Sequence, residues 1–128
     1  MKNLDHYHKG LFFITYLLLN TDSEINDNEL YYLHKMRVEE GMSDAIFADH
    51  FKSIIGKSEQ EIYQIGIDSL NLCPEELKVR AFGILYNMAF TENVVRPREV
   101  RLLLYAMNFT QMNLDKVLFS LRYKDVAA

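Results

Sequence analysis

The chain has 128 residues, of which 49% are apolar and 25% are charged, a balance that fits one globular domain and excludes a disordered chain. Five glycines and two prolines are too few for the tight turns of a β-sandwich, and a single cysteine excludes both a disulfide framework and a multi-thiolate metal site. Eighteen acidic against 14 basic residues give a net charge of −4, which disfavours non-specific binding to nucleic acid or to anionic membranes.

Apolar residues recur at three- and four-residue steps along the chain, and this spacing predicts helices throughout. The predicted helices start at residues 4, 26, 43, 58, 74, 97 and 113. Ser58 with Glu61 is the clearest capping box, and Asn113 is typical of an N-cap. Pro74 and Pro97 are placed at first-turn positions, where the missing N–H is harmless. These signals mark where several of the helices begin.

Glycines mark where two of these helices end. Gly41 and Gly56 follow the second and third apolar stripes, as C-terminal glycines do, and the fifth helix is expected to run to about Phe90. Most connections are two to seven residues long, which is typical of a helical bundle. The sequence therefore predicts an all-α, compact single domain of about seven helices over residues 1–128.

Two stretches, 19–33 and 89–103, align without a gap 70 residues apart. In each, an apolar helix runs into threonine, an acid and a small turn-forming residue, and a β-branched residue then plugs the elbow. Ile25 and Val95 are the two plugs, and a glutamate follows in the first turn of the next helix. The pattern predicts two repeated αα-hairpins related by a pseudo-two-fold axis.

This elbow resembles the Asp-Gly-x-(Ile/Val)-x-x-x-Glu signature of the TerB-like family, which is named after a tellurite-resistance protein. Asp22, Ile25 and Glu29 match in the first copy, and Val95 and Glu99 match in the second. The resemblance covers residues 11–121. It implies a fold of seven helices in which this hairpin occurs twice.

The resemblance also implies a function. Domains of this family act in binding or scaffold roles in stress-related membrane or chaperone assemblies, and divalent cations have been considered for their acidic elbow. This chain departs from the signature at Ser23, Glu92 and Asn93, where the family has glycine, aspartate and glycine. The departures weaken the expectation of a cation site more than the expectation of the fold.

The first elbow is the candidate metal site, with Asp22, Glu24, Asp27 and Glu29 as possible ligands. Carboxylate oxygens are the ligands that Ca²⁺ and Mg²⁺ prefer. The spacing does not make an EF-hand, because Asp27 stands where that loop needs glycine. The alternative is a solvated turn in which Asn26 and Glu29 cap the helix.

The second elbow carries Arg96, Arg98 and Arg101 and is the candidate interaction surface. An acidic and a basic patch on one domain could meet a protein partner, or each other in a head-to-tail homodimer. The alternative is an ordinary solvated surface on which arginine pairs with neighbours such as Glu99.

Histidine and cysteine offer little chemistry. His6 and His8 would point to different sides of a helix, and His34 and His50 are far from each other in sequence, so no zinc site is expected. Cys73 lies before a predicted helix start, where a thiol can be activated, but we expect it to be a small N-cap or half-buried residue.

Aromatic residues are abundant, with eight tyrosines and eight phenylalanines. Phe12, Phe13 and Tyr16 make the first helix apolar on more than one face, so it is either central or self-associating. Six tyrosines cannot all be fully buried, and most of them are expected at the edge of the core with their hydroxyl groups in water; half-exposed tyrosines also suit a protein interface. The tyrosines concerned are Tyr31, Tyr32, Tyr63, Tyr86, Tyr105 and Tyr123.

Two classes of function remain at this point. The first is a non-enzymatic interaction or scaffold module with no cofactor, or with weakly bound Ca²⁺ or Mg²⁺. The second is a helical enzyme or metal-dependent protein whose site converges from separate helices, although the Glu-x-x-His pairs of di-metal bundles are absent. The longest apolar run, Leu11–Leu19, is too short to span a membrane, and with a reduced thiol this predicts a cytoplasmic protein.

Overall fold

The computed structural model describes residues 4–19, 27–92 and 95–127, with side chains described as far as Arg122. Helices account for 83% of these residues, and no strand occurs among them. The elements are α1 (Asp5–Leu19), α2 (Asp27–Glu39), α3 (Asp44–Ile54), α4 (Glu59–Asn71), α5 (Glu75–Tyr86), a π-helix (Asn87–Thr91), α6 (Pro97–Phe109) and α7 (Leu114–Ala127). For the described residues, the prediction of an all-α bundle of seven α-helices is confirmed.

The predicted caps fix where several helices begin. Ser58 Oγ accepts a hydrogen bond from the Glu61 backbone N–H, and the Glu61 carboxylate accepts one from the Ser58 N–H, both at 3.1 Å. Ser43 caps α3 in the same way, and Asn113 Oδ1 accepts from the third residue after it, at 2.8 Å. These bonds satisfy N–H groups that the helix itself leaves without acceptors.

Two helix ends agree with the sequence prediction, whereas the beginning and the end of the fifth helix differ from it. Gly41 and Gly56 do stop α2 and α3, with φ of +69° and +84°, a left-handed conformation that glycine adopts without steric strain. Pro74, predicted in the first turn, is instead the N-cap of α5. The helix then changes to π geometry from Asn87 to Thr91, which the apolar spacing did not indicate.

Helix α1 lies at the centre of the bundle. Its residues Leu11, Phe12, Phe13, Ile14 and Leu18 are fully buried, and the helix packs against α2, α3, α4, α5 and α6. Of the two alternatives for a helix apolar on several faces, the structure shows the central one. Helix α1 is thus the surface on which α2 to α6 assemble, whereas α7 packs on α5.

The most extensive helix contact is that of α1 with α4, and glycines make it close. A Cβ placed on Gly66 would lie 2.7 Å from Ile14 Cδ1, and one placed on Gly10 would lie 2.7 Å from Leu70 Cγ. Because real Cβ atoms do not approach other atoms this closely, a side chain at either position would have to displace Ile14 or Leu70, and glycine avoids that displacement. Two glycines inside helices, unfavourable by propensity, are explained by this contact.

Some residues predicted to face inward are exposed. Leu30 belongs to the apolar stripe predicted with Leu33 and Met36, and Leu104 to the one predicted with Val100, Leu103 and Met107. Both nevertheless keep much of their surface accessible, 42% and 43%. Leu33 in α2 and Leu103 in α6 are fully buried instead. Neighbouring helices cover only part of each predicted stripe, so its edge remains in solvent.

The repeat is described only in part. Val95 is buried, as its role as a plug predicts, whereas Ile25 lies outside the described residues. Glu29 and Glu99, the glutamates that follow the two elbows, are both buried in the first turns of α2 and α6. The superposition of the two hairpins remains a prediction.

Candidate functional site

The acidic elbow does not assemble as a metal site from the residues that are described. Asp22 and Glu24 lie outside them, Asp27 is exposed, and Glu29 is buried. Asp27 and Glu29 are two positions apart in α2, so their side chains point about 200° apart. Within residues 4–19, 27–92 and 95–127, no three His, Cys, Asp or Glu residues come together as metal ligands. Binding of Ca²⁺ or Mg²⁺ at this elbow remains a prediction from sequence.

The three arginines of the second elbow are exposed around the start of α6. Arg98 Nη2 lies 3.2 Å from Glu99 Oε1, the arginine–glutamate pair expected under the alternative of an ordinary solvated surface. Arg96 and Arg101 form no ion pair with any described side chain. The N-terminal end of a helix carries partial positive charge, so dipole and arginines together make a basic surface on an acidic chain.

Beside these arginines is an open pocket of about 350 Å³ between α1, α4 and α6. Its apolar walls are Leu17, Leu102 and Tyr105, and Arg98 and Glu59 are also among its lining residues. Binding pockets usually combine apolar walls with a few polar or charged groups that orient the ligand. This pocket has both kinds of group and could therefore hold a side chain of a partner.

Exposed side chains follow the arginines along the outer face of α6. Tyr105 and Phe109 are each 61% exposed, and Leu104 lies beside them. On a helix, residues three and four apart are neighbours on one face. The outer face of α6 therefore changes from basic at its beginning to aromatic at its end.

A second polar site was missed by sequence reasoning. It is centred on Glu40, whose side chain is 7% exposed. Tyr7 Oη donates a hydrogen bond to Glu40 Oε1 at 2.5 Å, and Arg80 donates to both carboxylate oxygens, at 2.8 and 3.1 Å. His8 Nε2 lies 3.0 Å from the Glu40 carbonyl oxygen. This cluster fastens the end of α2 to α1 and α5.

Burial and hydrogen bonding keep two members of this cluster, Tyr7 and Arg80, protonated. Burial raises the pKa of the Tyr7 hydroxyl, and its hydrogen bond to Glu40 raises that pKa further. The hydrogen bond to Glu40 also raises the pKa of the Arg80 guanidinium. Tyr7 is therefore a permanent donor and Arg80 a permanent cation at physiological pH. No linear motif marks these residues, because Tyr7 and Arg80 are 33 and 40 positions from Glu40.

Glu40 and Arg80 stand at one end of a cleft between α2 and α5. The cleft encloses about 390 Å³ and extends to Glu92, just beyond the π-helix. At that end Lys35 Nζ lies 3.4 Å from Glu92 Oε1. The cleft is thus crossed by two ion pairs, and it is the second candidate ligand site of the chain.

The remaining reactive residues are structural or isolated. Cys73 is predicted from the sequence to be an N-cap or a half-buried residue. The N-cap of α5 is Pro74, and Cys73 is buried just after α4, where its thiol donates to the Ser69 carbonyl oxygen at 3.5 Å. Burial raises the pKa of this thiol, which disfavours the reactive thiolate. His34 is exposed, with Nε2 3.4 Å from Arg37 Nη2.

The six tyrosines expected at the edge of the core differ in how much of their surface is exposed. Tyr31 and Tyr105 are exposed, whereas the side chains of Tyr32, Tyr63 and Tyr86 are half-buried. The Tyr63 hydroxyl is buried and makes no hydrogen bond with any described group, so Tyr63 is an exception among the tyrosines expected to have solvated hydroxyls. The side chain of Tyr123 lies outside those described.

His50 makes stability depend on pH. The centroid of its ring lies 5.5 Å from that of Phe12. Burial lowers the pKa of His50, and repulsion from Lys9 and His8 lowers it further. Asp49 and Asp5 raise this pKa, but their effect is weaker. The unfolded chain therefore binds this proton more readily than the folded one. The neutral His50 ring therefore makes its full contribution to the free energy of unfolding above the ordinary histidine pKa of about 6.5. This contribution is lost as the pH falls below that value.

We expect the melting temperature to fall from pH 7.5 to pH 5.5 by less in His50→Phe than in the wild type, because phenylalanine keeps a ring in the aromatic cluster and removes the titration. Thermal denaturation followed by circular dichroism at several pH values measures both curves. The other histidines are common to both proteins, so the difference between the curves belongs to position 50. Parallel curves would contradict the prediction.

No helix among the described residues has both the length and the apolar character needed to cross a lipid bilayer.

Neither family models, nor curated proteins, nor solved structures yield a match to this chain. Its function is therefore inferred from its own residues and their geometry.

Proposed function

We propose that this chain is a TerB-like domain that acts as a non-enzymatic protein-interaction module and binds its partner through the outer face of α6. The observation that carries the proposal is the row of exposed side chains on that helix. Arg101, Leu104, Tyr105 and Phe109 follow at three- and four-residue steps and share one face. Arginine and aromatic residues are enriched at protein interfaces and contribute most of their binding energy.

The charge of this surface favours an acidic partner. Arg96, Arg98 and Arg101 cluster at the positive end of the α6 dipole, on a chain whose net charge is −4. Acidic side chains of the partner would pair with the arginines, and an apolar side chain would enter the pocket beside Tyr105. Complementary charge of this kind speeds association and sets specificity.

The TerB-like assignment and the stress-related scaffold role that it implies rest on the sequence resemblance. The seven-helix architecture supports them, as do Glu29 and Glu99, which are 7% and 3% exposed after the two elbows. A non-enzymatic role is supported by Cys73, because a buried thiol with a raised pKa is a poor nucleophile. We propose no resident cofactor, since no described observation favours one.

The test compares two charge reversals on exposed helical positions, Arg101→Glu in α6 and Lys52→Glu in α3. A partner recovered on the immobilised chain is identified, purified and titrated against each variant at low and high salt. We expect Arg101→Glu to weaken binding about tenfold, which corresponds to roughly 1.4 kcal/mol, and Lys52→Glu to leave it unchanged. Binding by the wild type should weaken at high salt.

Equal binding by both variants would overturn the proposal. Light scattering on the chain alone tests the competing occupant, a second copy whose acidic elbow meets the basic surface. A dimer that Arg101→Glu dissociates, with no other partner titrating, would replace the acidic partner by self-association.

A further inference from the structure

The cleft between α2 and α5 has the dimensions of a small-molecule site. Its volume of about 390 Å³ lies within the usual range of roughly 300–1,000 Å³ for ligand pockets. Two ion pairs cross it, Lys35 with Glu92 and Glu40 with Arg80, and they tie its two sides together.

The lining of the cleft combines charged and apolar side chains. Its apolar members are Met36 from α2, Ile84 from α5 and Met88 from the π-helix, together with the Tyr32 ring. Methionine side chains have three rotatable bonds and adjust to irregular ligands. Segments of π-helix occur frequently at functional sites, and here the π-helix supplies one of the methionines.

The charges of the cleft favour a cationic ligand. Three glutamates, Glu39, Glu40 and Glu92, line it together with only two bases, Lys35 and Arg80. The Arg80 guanidinium donates to both oxygens of Glu40, so that base is fully engaged at its own end. At the other end the Lys35 ammonium pairs with Glu92.

The Lys35 ammonium shows how this end holds a cation. Its Nζ lies 3.4 Å from Glu92 Oε1 and 5.9 Å from the centroid of the Tyr32 ring. A carboxylate and an aromatic face are the two groups that bind organic ammonium ions. Glu92, and more weakly Glu39, raise the pKa of this lysine, which agrees with a place that favours an ammonium. The side chain is 40% exposed, so it can leave for solvent.

We propose that this cleft binds a small aliphatic primary amine. The ligand's ammonium takes the place of Lys35 between Glu92 and the Tyr32 ring, and its alkyl chain lies against Met36, Ile84 and Met88. Lys35 is then a built-in competitor that occupies the site when no ligand is bound. This site is separate from the outer face of α6 and does not depend on the interaction proposed there.

The test uses 1-aminohexane and its neutral counterpart 1-hexanol as probes, titrated into the full chain and followed by amide chemical shifts. We expect saturable shifts at α2, α5 and the π-helix with the amine, and binding of the alcohol to be about tenfold weaker. Lys35→Met should strengthen binding of the amine about fivefold by removing the competitor, and Glu92→Gln should weaken it about tenfold. Lys52→Met, an equivalent change outside the cleft, should have no effect.

Several results would overturn the proposal. Equal binding of amine and alcohol would show an apolar cleft that does not recognise an ammonium. An absence of saturable shifts in both wild type and Lys35→Met would show that the cleft is not a site for amines. Amide spectra of each variant without ligand confirm that it is folded before its affinity is interpreted.

Discussion

Phe12→Ala is expected to lower the free energy of unfolding by about 4 kcal/mol, within the range for truncating a fully buried phenylalanine. The Phe12 ring is completely buried, and its centroid lies 5.3–6.2 Å from the rings of Phe13, Phe47, His50 and Phe51. Alanine would leave a cavity at the point where α1 meets α3, and aromatic pairing would be lost together with apolar burial.

Urea unfolding followed by circular dichroism measures this loss. Phe109→Ala is the matched control, because it makes the same substitution on a side chain that is 61% exposed, and we expect it to change stability by no more than about 0.5 kcal/mol. Phe12→Leu should lose less than Phe12→Ala, since most of the volume is kept. A loss below about 1 kcal/mol for Phe12→Ala would show that the cluster is not the core of the fold.

Gly66→Val is expected to destabilise the chain by about 3 kcal/mol, because the contact of α1 with α4 has no room for a side chain. The new Cβ would lie 2.7 Å from Ile14 Cδ1 and 3.3 Å from Phe13 Cβ. The second of these atoms cannot move without α1 itself. Gly83→Val is the control, since its Cβ meets only Leu121, at 3.3 Å, and we expect a change of no more than about 1 kcal/mol.

A double mutant separates steric overlap from other effects of valine. Ile14→Ala removes the side chain that Gly66→Val would strike, so the two substitutions together should be at least about 1 kcal/mol less destabilising than the sum of the single changes. Strict additivity would show that the close approach of the two helices is not the cause.

The features that the sequence predicted well are those determined by neighbours along the chain. The Ser58 and Glu61 cap and the left-handed Gly41 depend on four or five consecutive residues, and both are present as predicted. The exposure of Arg98 and Arg101 also follows from their type and position. Helix caps and exposed charges depend on residues that are close together in the sequence, so the spacing of those residues predicts them.

The features that could not be predicted depend on which helices meet. Gly10 and Gly66 are 56 positions apart, and only the packing of α1 on α4 makes them necessary. Glu40 is bound by Tyr7 and Arg80, which are 33 and 40 positions away from it in the sequence. Nothing in the sequence shows that these three residues meet until the fold is known. Leu30 is exposed because no helix among the described residues covers that side of α2. Tertiary contacts thus select which members of a predicted apolar stripe become core.

The central position of α1 has a consequence during synthesis. This helix is translated before the elements that cover it, and about 50 residues separate its end from the end of α4. At typical rates of roughly 5–20 residues per second, its apolar surface stays uncovered for about 3–10 s on the ribosome. Until then the nascent chain exposes Leu11, Phe12 and Ile14, which are fully buried once folding is complete. Newly made chains that stall before α4 are therefore natural clients for chaperones and prone to aggregate.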